Sequence, residues 1–401
     1  MNFHQPIERI NTDSFKWDDL KRIFGVSDVL PMWVADMDFA APDSVISALN
    51  SRVEHGVFGY TMQSDAYNQA VADWMKSRHR WSIDKEWIVF CPGVVPALSF
   101  IVQAFTEPGD KVAIQTPVYP PFHSVVTDHG RELVQNPLKE QDGYYTMDLE
   151  ALEQSLDDQV KLFILCSPHN PVGRVWRREE LEAVAKLCME RGILMVSDEI
   201  HADLVYEEGT HIPFASLSKE IQENCIICTA PSKTFNIAGL NTSNIIIPND
   251  SIRRRFKKTL ELYHVNSIST LGSAATQAAY NDGKAWLDEA LVYMKANMEY
   301  VSEYLGEHIP EIKTRVPEAT YLMWLDFRAL QMSPDDLEQF LLNKAKLALN
   351  KGSAFGKEGE GFMRLNIACS RSLVEEAMKR LDQAVQEWRK EQQQQQQQQP
   401  V

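Results

Sequence analysis

Short apolar runs at 87–90, 111–114, 161–166, 193–196, 225–228 and 244–247 alternate along the chain with stretches whose apolar residues recur at helical spacing. Runs of this length read as buried strands, and the periodic stretches at 97–105, 148–155 and 179–191 read as amphipathic helices, the last ended by Gly192. Strand and helix in alternation predict an α/β fold: a mostly parallel sheet sandwiched by helices, with ligands held at the carboxyl ends of the strands. After about residue 285 the pattern changes to long helices at 286–305 and 373–388 around strand-like segments at 320–326 and 362–367. That change predicts a smaller α/β domain. The expected organisation is a large domain over 48–285, a small domain built from 1–47 and 286–391, and a low-complexity glutamine tail over 392–401. Such a tail cannot bury itself, so it is either disordered or a solvated helical extension.

Composition narrows the function. The chain has 401 residues, 44% hydrophobic and 24% charged, with a formal net charge of −16. That charge disfavours nucleic acid or an anionic membrane as partner, because both demand clustered cations. The one short basic cluster, Arg253-Arg254-Arg255 with Lys257 and Lys258, reads as a solvated helix face. No apolar stretch has the length of a membrane helix, and the first nine residues lack a basic-then-apolar leader pattern. A cytoplasmic protein is expected. The six cysteines show no disulfide spacing. Cys225 and Cys228 form a CxxC, but residues three apart on a strand point to opposite faces, so no metal site is expected there.

Three strand ends carry the candidate chemistry. Lys233, in Thr229-Ala230-Pro231-Ser232-Lys233-Thr234-Phe235, follows the run at 225–228; a lysine delivered by a buried strand end is partly desolvated and suited to Schiff-base formation. Upstream, Ser167-Pro168-His169-Asn170-Pro171 follows the run at 161–166, and Ser197-Asp198-Glu199 follows the run at 193–196. On residues alone each has a plainer alternative: Asp198 as a helix cap, Asn170 as a turn residue, and Tyr119, in Thr116-Pro117-Val118-Tyr119-Pro120, as a core tyrosine. Arg364, in Met363-Arg364-Leu365-Asn366, also suits an ordinary strand-end salt bridge. The turn Cys91-Pro92-Gly93-Val94-Val95 runs into a helix, and a helix start offers backbone donors to an anion.

These motifs carry a resemblance that spans nearly the whole chain. Asn170-Pro171-x-Gly173, Asp198-Glu199 and Ser232-Lys233, in that order, resemble the fold type I pyridoxal phosphate enzymes of the class I and II aminotransferase-like family. Pro31-Met32-Trp33-Val34-Ala35-Asp36-Met37-Asp38-Phe39, Asp198-Glu199-Ile200-His201 and Ala230-Pro231-Ser232-Lys233-Thr234-Phe235-Asn236 resemble its carbon–sulfur β-lyases, the cystathionine β-lyases and cysteine desulfhydrases.

The resemblance implies pyridoxal 5'-phosphate as cofactor and a role for each residue. Lys233 would bind the cofactor covalently and then move the substrate's α proton. Asp198 would pair with the pyridine nitrogen, Asn170 with the ring's phenolic oxygen while bordering the substrate, and Tyr119 would stack on the ring. The amides of Val94 and Val95 and the hydroxyl of Ser232 would hold the phosphate. Tyr60 would reach that phosphate from the other subunit of a homodimer. Arg364 would grip the substrate's α carboxylate, and the segment 33–39, with Ala35, would wall the substrate side chain.

Two positions depart from many related aminotransferases. His201 stands where they carry a tyrosine near the phenolic oxygen, and imidazole titrates near neutrality where phenol does not. Asn241 stands where they carry a phosphate-binding arginine. The activity implied is β-elimination from L-cystathionine, and from L-cysteine or related S-conjugates. An aminotransferase acting on aromatic or neutral amino acids is the alternative, and a binding protein that keeps the fold is a third.

Overall fold

In the computed structural model, which describes residues 3–207, 211–265 and 267–398, the apolar runs lie side by side in one seven-stranded sheet. Its strands are β1 (Ile88–Cys91), β2 (Lys111–Thr116), β3 (Glu132–Pro137), β4 (Val160–Cys166), β5 (Leu194–Asp198), β6 (Cys225–Thr229) and β7 (Ser243–Ile246). They are ordered β1-β7-β6-β5-β4-β2-β3. From β6 to β3 all neighbours are parallel, while β7 runs antiparallel to both β6 and β1. Six of these strands match the apolar runs to within a few residues, and β3 is the one not expected. As an edge strand it keeps polar side chains in water and never becomes an apolar run.

Helices cover both faces, which is why β6 is buried at every position. Cys225 belongs to one of the resulting cores and Cys228 to the other, so the CxxC is split across the sheet. All six cysteines are free and buried. The expected helices form as Val94–Phe105, Leu149–Ser155 and Arg178–Glu190. Asp148 caps the second by accepting from the N–H of Ala151 at 3.1 Å, and Gly192, at φ 65°, turns the chain just beyond the third. The basic cluster lies on the helix Asp250–Leu262 but is not uniformly solvated. Arg254 is exposed and pairs with Asp250. Arg253 instead is buried and donates to the carbonyls of Ile247 at 2.8 Å and Pro248 at 2.9 Å. Its position turns it back onto the end of β7, where unpaired carbonyls attract a guanidinium.

The second lobe is built on an antiparallel sheet with Phe362–Asn366 between Leu322–Asp326 and Asn350–Lys351. The helices Lys284–His308 and Arg371–Gln398 accompany it. The N-terminal segment joins this lobe through Leu30–Pro31, which pairs in parallel with Leu347–Ala348. Both boundaries drawn from the sequence fall inside helices, Asp43–His55 and Lys284–His308. The glutamine run continues the last helix through Gln398; residues 399–401 lie outside the described residues.

Gly173 of the Asn-Pro-x-Gly motif locks the chain after β4 against the second lobe. Its φ is 70°, and a Cβ there would stand 2.3 Å from Cβ of Pro317. Both the backbone conformation and the space exclude a side chain. Gly173→Ala is expected to destabilise the protein by roughly 2–3 kcal/mol, read as a lower urea midpoint at unchanged m.

Candidate active site

The ends of β4, β5 and β6 converge on one cavity of about 230 Å³. After β6 the chain enters a four-residue helix, Pro231–Thr234, with proline in its first turn. Proline is preorganised for that position. Lys233 is thereby presented to the cavity, where its Nζ donates to the carbonyl oxygen of Ala35 at 2.6 Å. The hydroxyl of Tyr321 donates to the same oxygen at 2.9 Å. Burial, helped by the positive charge of Arg364 and opposed by Asp36 and Asp198, draws the amine's pKa down to about 8.

Asp198 is the last residue of β5 and is buried. Its carboxylate accepts from the N–H of Ile200 at 3.1 Å, and no salt bridge reaches it among the described residues. Burial, with a contribution from Glu199 and against the effects of Ile200 and Lys233, pushes its pKa up to about 7. A cation placed beside it would restore the charged form.

Asn170, after β4, is fixed on both sides. Its carbonyl oxygen accepts from the backbone N–H of Tyr119 at 3.1 Å, and its Oδ1 accepts from Nη1 of Arg364 at 3.1 Å. Arg364 comes from the middle strand of the second lobe and is 3% exposed. Nη2 donates to the carbonyl of Trp33 at 3.0 Å and to Asn350, while the buried Nε has no partner. The guanidinium lies 5.0 Å from the ring centre of Phe355. Burial lowers its pKa to about 10, against the effects of Tyr119 and Tyr321. Among the described residues it forms no ion pair, so the ordinary salt bridge is not what this arginine makes. A buried cation without an anion is costly, and a ligand carboxylate would relieve that cost.

Gly93 precedes the helix Val94–Phe105, whose first turn lines the cavity through Val94, Val95 and Pro96. Proline has no N–H, so the free donors of this helix start are the amides of Val94 and Val95. Ser232, Asn241 and Thr242 line the cavity as well, together with Tyr119, Ile200 and His201.

Of the residues expected from the sequence, Ala35, Val94, Val95, Tyr119, Asn170, Asp198, His201, Ser232 and Lys233 all line this one cavity. Arg364 joins it through Asn170. Tyr60 does not line it and is fully exposed, at 104%.

Two expectations need correction. His201 does not titrate near neutrality: burial, then Lys233 and Arg364, hold its pKa down at about 3, so the imidazole is neutral. The segment 33–39 contributes only Ala35 to the cavity. Met37 and Phe39 pack into the main core, and Trp33 packs with Leu20 and Leu342 while donating to the carbonyl of Lys16 at 3.1 Å. The segment acts through its backbone. Sequence reasoning missed Thr242, a buried hydroxyl with no partner, and Tyr321. Neither sits in a motif, and only the folded chain brings them to Lys233 or to the cavity.

The chain as a whole is similar to known proteins. The family model described as aminotransferase class I and II matches residues 27–381. The chain is 48% identical to cystathionine beta-lyase PatB of Bacillus subtilis, over 96% of this chain and all of that one. It is 36% identical to protein MalY of Escherichia coli, over 96% of this chain and 98% of that one. Cystalysin of Treponema denticola, whose crystal structure contains pyridoxal 5'-phosphate, superposes with a TM-score of 0.94 at 40% identity, covering 96% and 99% of the two chains. The chain belongs to the class I and II aminotransferase family.

Proposed function

We propose that this protein is a pyridoxal 5'-phosphate-dependent carbon–sulfur lyase. It removes a thiol by β-elimination from L-cystathionine, and from L-cysteine or related S-conjugates, leaving pyruvate and ammonia. The observation that carries the chemistry is the meeting, around one cavity, of a lysine of lowered pKa, a buried carboxyl without a cation and a buried guanidinium without an anion. The near-complete match to lyase relatives favours elimination over amino transfer.

The residues fit the cofactor. Val94 and Val95 offer helix-start amides, and Ser232 and Thr242 offer hydroxyls, so a phosphate has neutral donors on several sides. Tyr119 supplies an aromatic wall, and Asp198 supplies the carboxylate that a pyridinium nitrogen requires. When bound, the cofactor provides an electron sink for the charge left at the substrate's α carbon.

The chain's own groups do the rest. Arg364 binds the α carboxylate, with Nε free to donate, and fixes the substrate against the second lobe. Lys233, with a pKa near 8, holds an appreciable neutral fraction at physiological pH and takes the α proton at Nζ. Asp198 would hold the cofactor's ring nitrogen in its protonated form. His201 and the amide of Asn170 are neutral, so they direct hydrogen bonds without adding charge. The C–S bond breaks with its electron pair on sulfur, and thiolate leaves more readily than hydroxide. The three-carbon product takes up water to give pyruvate and ammonia.

We also propose a homodimer in which Tyr60 enters the partner's site. Val57, Phe58, Tyr60 and Met62 form a run of exposed apolar side chains, the kind of surface a second copy covers. The six free thiols suit a reducing, cytoplasmic compartment.

Purified protein given L-cystathionine should release pyruvate and free thiol in equal amounts. Formation of glutamate from 2-oxoglutarate, with no pyruvate and no thiol, would establish the aminotransferase instead. Lys233→Ala should abolish turnover. Arg364→Ala should raise KM by about a hundredfold while the bound cofactor's spectrum survives; loss of the cofactor would reject the carboxylate role.

Shared sites predict complementation. Lys233→Ala and Tyr60→Ala, each impaired alone, should regain up to about a quarter of wild-type activity when unfolded and refolded together, because half the dimers then carry one intact site. Absence of any gain over the separately refolded variants would count against a shared site.

A further inference from the structure

Next to the cavity runs a chain of buried polar groups that none of these steps uses. Thr234, the residue after Lys233, donates its hydroxyl to Oδ2 of Asp203 at 2.7 Å. Oδ1 of Asp203 accepts from Nε1 of Trp74 at 3.0 Å and meets Nε2 of His79 at 2.7 Å. Glu199, the residue after Asp198, has a matching arrangement. Its Oε1 accepts from the hydroxyl of Ser197 at 3.0 Å and the N–H of Phe214 at 2.8 Å, and its Oε2 meets Nε2 of His211 at 3.1 Å. The rings of His79 and His211 touch edge to face, 5.6 Å between centres. Contacts therefore run from Thr234, the residue after Lys233, through Asp203, His79 and His211 to Glu199, the residue after Asp198.

Thr234, Asp203, Glu199, Asp198 and the side chains of His79 and His211 are all buried. A buried carboxylate is tolerated only where its oxygens are satisfied, and hydrogen bonds to such an oxygen are short, strong and directional. Burial alone would raise the pKa of Asp203, yet His79, Thr234 and Arg78 outweigh it and hold the carboxyl below its ordinary range. Thr234 sits in the same single turn as Lys233, so whatever fixes its hydroxyl fixes the rotation of that turn. The lysine side chain has four rotatable bonds and sets little by itself.

We propose that Asp203, backed by His79 and His211, is a positioning residue: it anchors Thr234 and so sets the distance between the Lys233 amine and the Asp198 carboxyl. The proposal rests on the reading that Lys233 binds the cofactor.

The test uses full-length Thr234→Val, which keeps the shape and removes the hydroxyl, beside Thr234→Ser, which keeps it. Three quantities are measured: the pH midpoint for the rate of covalent attachment of pyridoxal phosphate at Lys233, kcat and KM for L-cystathionine, and Tm. In the wild type the midpoint should lie at about 8. A lysine released toward solvent moves toward its ordinary value, so the valine variant should titrate at least about 0.5 unit higher. Its kcat should fall about tenfold with KM changed less than about threefold, and serine should restore both.

A valine variant with the wild-type midpoint and kcat overturns the proposal whatever its Tm, since a packing role alone would lower only Tm. Should that variant not fold, His79→Gln, which keeps an N–H donor, is compared with His79→Phe, which does not. A shift in the phenylalanine variant alone supports the positioning role, and equal values in the two overturn it. Wild-type protein that attaches no pyridoxal phosphate at Lys233 overturns both this proposal and the cofactor reading. Attachment in the wild type that Lys233→Ala abolishes shows that the cofactor reading stands by itself.

Discussion

Lys233, Asp198 and Arg364 are all drawn out of water around one cavity, and none of them forms a salt bridge among the described residues. Each departs from its ordinary pKa in the direction that discourages charge: the amine falls to about 8, the carboxyl rises to about 7 and the guanidinium falls to about 10. An unpaired buried charge opposes folding, so the surrounding structure has to supply the stability. Two cores, one on each face of a continuous apolar sheet, supply it. The stored cost is what a ligand with a cationic ring nitrogen and an anionic carboxylate would relieve.

Holding such groups in place falls largely to the segment before Ala40. Its backbone is clasped from two sides. Asn366 of the second lobe donates to the carbonyls of Val34 and Asp36, both at 2.6 Å. Asn236, three residues beyond Lys233, accepts from the N–H of Met37 and donates to the carbonyls of Met37 and Phe39. Arg9 and the fully buried Lys16 then neutralise Asp36 and Asp38 from outside. Ala35 therefore presents its carbonyl to Lys233 as a fixed point. The arrangement ties the two lobes together beside Lys233.

The central sheet was legible because a strand buried on both faces is mostly apolar, as β4, β5 and β6 are apart from Lys161, Ser197, Asp198 and Thr229. The same physics hides β3, whose edge position permits Glu132 and Gln135. Motif spacing located Lys233, Asp198 and Asn170, which follow parallel strands and so reach one cavity at the carboxyl ends. It could not locate Thr242, Tyr321 or the path through Asp203 and His79. Those groups lie far apart in sequence and acquire meaning only by contact. Nor could it settle the charge of His201, because imidazole's pKa depends on how completely the fold excludes water and on its distance from Lys233 and Arg364.

The neutral state of His201 gives the two departures from related aminotransferases a common sense. With Asn241 in place of an arginine, the end of the cavity proposed for the phosphate offers only amides and hydroxyls. With the His201 imidazole kept uncharged, that side of the cavity lining adds no cation either. Positive charge is then confined to Lys233, whose pKa is drawn down to about 8, and to Arg364, the group proposed for the substrate carboxylate. A zwitterionic amino acid meets one fixed cation rather than several, so its carboxylate can settle in a single orientation. That orientation would place the α proton before Nζ of Lys233. The absence of a cation at position 241, with a neutral side chain kept at position 201, would thus contribute to the geometry of proton transfer alongside the residues that touch the substrate.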